Sequence, residues 1–125
     1  MDLAYSVMNA ALLIGLPAAG VIAAGLLMAQ PLSSLTRWWA LGYSLVALAV
    51  TTVLAARFWR PGDDQWNGLH LLAVALAVEA FALSWMVLRM APSARRYGVV
   101  RALAAAVCLL SAVAVFLTVG AGSGL

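Results

Sequence analysis

The chain has 125 residues, 66% hydrophobic and 9% charged, with a mean hydropathy of +1.07. Soluble domains carry about 25% charged residues, so this composition excludes a water-exposed globular fold and fits a chain that is nearly all membrane span. The net charge of +3 comes from arginines in short connections between apolar runs, which reads as a topology signal and excludes a nucleic-acid partner.

The apolar runs predict an all-α integral membrane protein: one four-helix domain over residues 1–125, with spans at about 5–28, 37–57, 68–90 and 99–119. The first span lacks the basic start of a secretory leader and exceeds a leader's apolar length of roughly 7–15 residues, so it is read as a retained helix. Ala11, Gly15, Ala19 and Ala23 recur every four residues, a small-residue ridge that predicts close helix packing. Pro17 removes a backbone donor, frees the Leu13 carbonyl and predicts a kink. Ser6, Asn9 and Leu13 share one face, so Asn9 is a candidate for a small polar site or for a tie to a neighbouring helix.

Pro31 ends this helix, in a connection from Gln30 to Thr36. Arg37, Trp38 and Trp39 mark one membrane interface, and Trp59, between Arg57 and Arg60, the other. Between them Ser44, Ala47, Thr51 and Ala55 form a small and polar stripe expected to pack.

Pro61-Gly62 signals a turn. Asp63 or Asp64 is placed to cap the third helix, and Trp66 to anchor it. Asp63, Asp64, Asn67 and His70 would form a polar cluster at that mouth. Asp63, Asn67 and His70 follow one face, but they include only one strong transition-metal ligand, so no metal site is expected.

Glu79 is the only acidic residue inside a long apolar run. A carboxyl at bilayer depth is costly and marks a functional candidate. Nine steps of about 100° put it on the opposite face from His70. It shares its own face with Leu72, Ala75, Ala82, Leu83 and Met86, and the small neighbours predict a close helix contact there. Glu79 could be structural, donating a hydrogen bond to a backbone carbonyl or to Ser111 or Thr51. Alternatively a partner subunit supplies a polar or basic group, or Glu79 carries a proton or cation in transport.

The segment Leu71 to Ala80, with Glu79 in an Ala/Leu-rich helix ending near Arg89, resembles the last span of the small proton-channel subunit of respiratory complex I and related antiporters. In that family the midspan Glu lies in a helix running outside to inside. The resemblance covers one helix. The family's other intramembrane Glu, expected in the second span, is absent from Trp38 to Ala56, and this chain has a fourth span.

The next connection, Arg89 to Arg101, holds Pro92, Arg95, Arg96 and Tyr97, with Arg95 and Arg96 as interface anchors. In the fourth span Ala104, Cys108, Ser111, Val115 and Thr118 alternate steps of four and three, a left-handed packing seam. A Gly-rich tail, Gly120 to Leu125, follows. Cys108 is alone, so no intrachain disulfide forms. Arg37, Arg89, Arg95, Arg96 and Arg101 lie on one side, against Arg57 and Arg60 on the other. By the positive-inside rule both termini face outside, as in a bacterial inner-membrane protein.

Catalytic groups are too few for an enzyme, and one histidine cannot supply both axial ligands of a haem. No cofactor is expected from this chain alone, although its interfacial residues could contact lipid or quinone headgroups. Two functions remain. The preferred one is a small accessory or structural subunit of a larger membrane complex, energy-transducing or transporting, with other membrane subunits and lipids as partners. The alternative is a homo-oligomeric proton-coupled transporter or channel that uses Glu79.

Overall fold

Four helical runs, Leu3–Met28, Leu35–Arg57, Asp64–Arg89 and Tyr97–Gly120, are each long and apolar enough to cross a membrane. The computed structural model describes residues 2–29, 34–91 and 93–122. The elements are α1 (Asp2–Ala10), a π turn (Ala11–Gly15), α2 (Leu16–Met28), α3 (Ser34–Arg57), α4 (Asp64–Arg89) and α5 (Tyr97–Gly122). Each of α2 to α5 packs on its neighbour in sequence, and α5 also packs on α2, which closes the helices into a ring. In an apolar medium every backbone amide must be satisfied within its own helix, and that favours this architecture over any open sheet.

Small residues let the helices approach. The innermost positions of α4 are Ala73, Ala77, Ala80, Ser84 and Val87, and those of α5 are Ala104, Cys108, Ser111, Val115 and Thr118. Both sets alternate steps of four and three, the period of left-handed bundle packing. In α3 the same role falls to Ala40, Tyr43, Ser44, Ala47 and Thr51. Three buried hydroxyls bond back into their own helices: Ser44 to the Leu41 carbonyl, Thr51 to that of Ala47, and Thr118 to that of Val115. A hydroxyl satisfied this way can sit against a neighbouring helix without needing a partner there.

The first span departs from its expected packing. Ala11 and Gly15 are exposed, and open space surrounds the position of a Cβ at Gly15. The packed face of α2 is instead Leu16, Pro17, Gly20, Ala23 and Leu27, with Ala19 half-buried. A Cβ at Gly20 would lie 2.6 Å from Tyr43 Cζ and 2.8 Å from Ala112 Cβ, so only glycine fits between α3 and α5. The reason is the π turn, which shifts the phase of all that follows it. Pro17 lacks an amide, and the chain accommodates the loss by widening the preceding turn, with the Leu16 amide donating to the Ala11 carbonyl five residues back. The expected sharp kink is thus a π turn. Before it, α1 packs little on the other helices and exposes Leu3, Tyr5, Val7 and Met8.

Three boundaries also differ. Asp63 accepts the Trp66 amide, so α4 starts at Asp64, four residues before its apolar run. Tyr97 already begins α5, which continues through Gly120 to Gly122 because unpaired backbone in an apolar medium costs more than glycine's entropy. Thr36 belongs to α3. The expected roles of Pro31 and Pro92, and the last residues of the tail, lie outside the described residues.

Candidate functional site

Of the residues singled out by sequence, Glu79 is the most displaced from expectation. It is exposed, as are Leu72, Ala75, Ala82 and Met86, with Leu83 half-buried. The side that α4 buries in the bundle is the other one, through Asn67, His70, Ala73, Ala77, Ala80, Ser84 and Val87. Both faces are rich in alanine, so small size alone did not single out the packed one. Glu79 has no hydrogen-bond or ion-pair partner among the described residues. The two hydroxyls expected to meet it are engaged elsewhere, and Asn9, the other intramembrane candidate, lies apart from it. Ser111 accepts a hydrogen bond from Tyr43 Oη at 3.1 Å, Thr51 donates to its own helix at 2.7 Å, and Asn9 lines a cleft at the end of the bundle.

Tyr43 is the core residue that sequence reasoning missed. It is 4% exposed and joins α3 to α5 through Ser111. A tyrosine hydroxyl in an apolar span needs a partner. Its place between Ala40 and Ala47, one heptad apart, was the available signal.

The connection from α3 to α4 is tightly tied. The Asp63 amide donates to the Arg60 carbonyl at 3.0 Å, closing a turn with Pro61 second and Gly62 third at φ +86°. This is the positive-φ position that glycine supplies in a type II turn. Asn67 then clamps the Arg60 peptide from both sides, accepting its N–H at 2.9 Å and donating to its carbonyl at 2.7 Å. Trp66 donates its indole N–H to the Phe58 carbonyl, and the Arg60 guanidinium lies 3.8 Å from its ring centre. The expected polar cluster therefore splits. Asp63 and Asp64 are exposed, while Asn67 and His70 are buried. Asp63 is occupied as a cap and Asn67 as a clamp, and among the described residues no group of three or more His, Cys, Asp or Glu side chains could hold a metal ion.

His70 is 1% exposed and meets Trp66 edge-on, 5.0 Å between ring centres. Among the described residues neither of its ring nitrogens has a hydrogen-bond partner.

At the opposite end two arginines are structural. Arg101, 8% exposed, donates from Nε to the Leu27 carbonyl and from Nη2 to that of Ala29. These carbonyls at the end of α2 carry the negative end of its dipole, so a guanidinium there satisfies both valence and charge. Arg37 donates to the Tyr97 hydroxyl at 3.2 Å, tying the start of α3 to the start of α5. Arg95 and Arg96 are exposed. Trp38, Trp39 and Trp59 are exposed as interface anchors would be, with Trp39 donating to the Ala19 carbonyl. From Arg37 to Arg57, α3 rises ~30 Å, the thickness of a bilayer core.

Among the hollows lined by described residues, two adjoin candidates named from the sequence. One, of about 380 Å³, lies between the first span and the ends of α3 and α5, with Tyr5, Asn9, Leu12, Leu54, Arg57 and Val119 among its walls. The other, about 440 Å³ and almost wholly apolar, lies beside Trp38 and Trp39. No family model, curated protein or solved structure matches the chain.

Proposed function

We propose that the chain is a small accessory subunit of a larger membrane assembly, docked through the exposed face of α4 with Glu79 at its centre. The observation that carries this reading is a mid-helix carboxyl on an outward face, without a partner among the described residues. Facing lipid, such a group costs a few kcal/mol, and intramembrane carboxyls accordingly face protein or a water-filled cavity. The partner this face fits is a helix from a different subunit that offers a basic or hydrogen-bonding side chain at the same depth. Ala75 and Ala82, one turn either side of Glu79, would let that helix approach closely. With five arginines at one end against two at the other, the orientation is termini outside, in a bacterial cytoplasmic membrane. The chain itself contributes no catalytic group.

A second reading rests on the same alanines. Two copies could meet across this face, with paired Glu79 carboxyls sharing a proton, as a homo-oligomeric proton-coupled transporter would require. Photo-crosslinkers placed at positions 75 and 82 in native membranes distinguish the two. A crosslink to one defined foreign polypeptide, absent from position 110 on the exposed side of α5, supports the subunit reading. Crosslinks only between copies of this chain overturn it in favour of the transporter. Crosslinking no stronger than at position 110 overturns both.

A further inference from the structure

The cleft beside the first span has the composition of a site for an amphiphile. Its polar rim is Tyr5, Asn9 and Arg57, and its apolar wall includes Leu12, Leu54 and Val119. Among the described residues none of the three rim side chains has a hydrogen-bond partner, although all three are donors. The hollow lies where α1, ahead of the π turn, packs little against the ends of α3 and α5. Its volume of about 380 Å³ lies within the range of small-molecule sites, about 300–1,000 Å³.

We propose that this cleft binds an amphiphile with an anionic head, a phosphate or carboxylate, held by Arg57 with Asn9 and Tyr5, its apolar chain lying along Leu12 and Leu54. Arginine is the side chain best shaped for such a group, since its planar fork meets two oxygens at once. The rim lies where headgroups lie: Arg57 ends α3 and Trp59 follows two residues later. The ligand is either a bilayer phospholipid or a free amphiphile such as a fatty acid; both present the same chemistry to the site. The inference does not depend on what docks against Glu79.

Native mass spectrometry of the purified full chain, after incubation with phosphatidylglycerol, phosphatidylcholine or oleate, provides the test. One arginine contact near the headgroups corresponds to roughly a five-fold preference for phosphatidylglycerol over phosphatidylcholine. Arg57→Gln should remove that preference and Arg57→Lys should keep part of it. Arg60→Gln, in the same connection but outside the cleft, should leave it intact. Leu54→Trp should lower occupancy by filling the cleft without changing charge, and Leu12→Phe serves the same purpose if that variant does not fold. Oleate displacing phosphatidylglycerol at equal concentration identifies a free amphiphile as ligand, and failure to do so identifies a bilayer lipid. Equal retention of both phospholipids by the wild type overturns the proposal. So does an Arg60→Gln effect as large as that of Arg57→Gln, or full occupancy in a folded cleft-filling variant.

Discussion

Tyr43 donates to Ser111 across the bundle core because Gly20 leaves room for its ring. The bond is 3.1 Å long, and a Cβ at position 20 would lie 2.7 Å from the tyrosine hydroxyl oxygen. Three helices therefore meet at one point, α2 through a missing side chain and α3 and α5 through a polar pair.

Gly20→Ala is expected to destabilise the chain by about 1–3 kcal/mol, because the core must shift to admit the methyl group. Gly25→Ala, where a Cβ meets open space, should instead gain about 0.5–1 kcal/mol from reduced backbone entropy. Unfolding in mild detergent, monitored for both variants, checks the contrast. Equal effects would mean that Gly20 is not a contact point.

Tyr43→Phe removes the donor and leaves Ser111 buried without it. Interhelical hydrogen bonds in membranes average about 0.6 kcal/mol, so a loss of that order is expected. Ser111→Ala in the same background should add little further. Full additivity in this double-mutant cycle would contradict the pairing.

Arg101→Gln should cost about 2–3 kcal/mol, since it removes a charged donor from two helix-end carbonyls. Arg101→Lys should recover only part, because one ammonium does not reproduce the guanidinium fork. Orientation should be unchanged in both, as Arg37, Arg89, Arg95 and Arg96 remain on that side. Reporter fusions read the orientation and thermal unfolding reads the cap.

His70→Phe keeps a ring against Trp66 and removes two buried nitrogens that lack partners among the described residues. An unsatisfied buried polar group costs about 1–3 kcal/mol, so this variant should be as stable as the wild type or more so. A marked loss of stability would show that the imidazole has a partner outside the described contacts.

Glu79→Gln in the isolated chain should change stability by less than about 0.5 kcal/mol, since no described residue pairs with it. Its effect should appear only on association in native membranes. A large loss in the isolated chain would place the carboxyl inside the fold.

The α5 seam was legible because its polar and small residues, Ala104, Cys108, Ser111 and Thr118, fall on one stripe with no competing stripe. In α4 the same reasoning did not find the face buried within the chain. Ala75 and Ala82 flank Glu79, but Ala73, Ala77 and Ala80 recur with the same period on the buried side. In water, hydrophobicity would separate two such faces; in lipid both sides of a span are apolar, and that contrast disappears. The ridge from Ala11 to Ala23 failed for a different reason. Its regular spacing assumed an unbroken α-helix, and the π turn rotated Ala11 and Gly15 away from the face carrying Ala23. Asp63 was legible as a cap from its position after Pro-Gly, whereas the Asn67 clamp on Arg60 depends on a turn geometry that no residue pattern encodes by itself.

Arg101 has one more consequence, for biogenesis. It belongs to the last of these four spans to leave the ribosome, and the carbonyls it serves end the first of the four. Until α5 inserts, the end of α2 has neither its cap nor the neighbour that closes the ring. A nascent chain halted after α4 therefore holds three spans whose first member is unfinished, and completion of the first helix waits on the fourth.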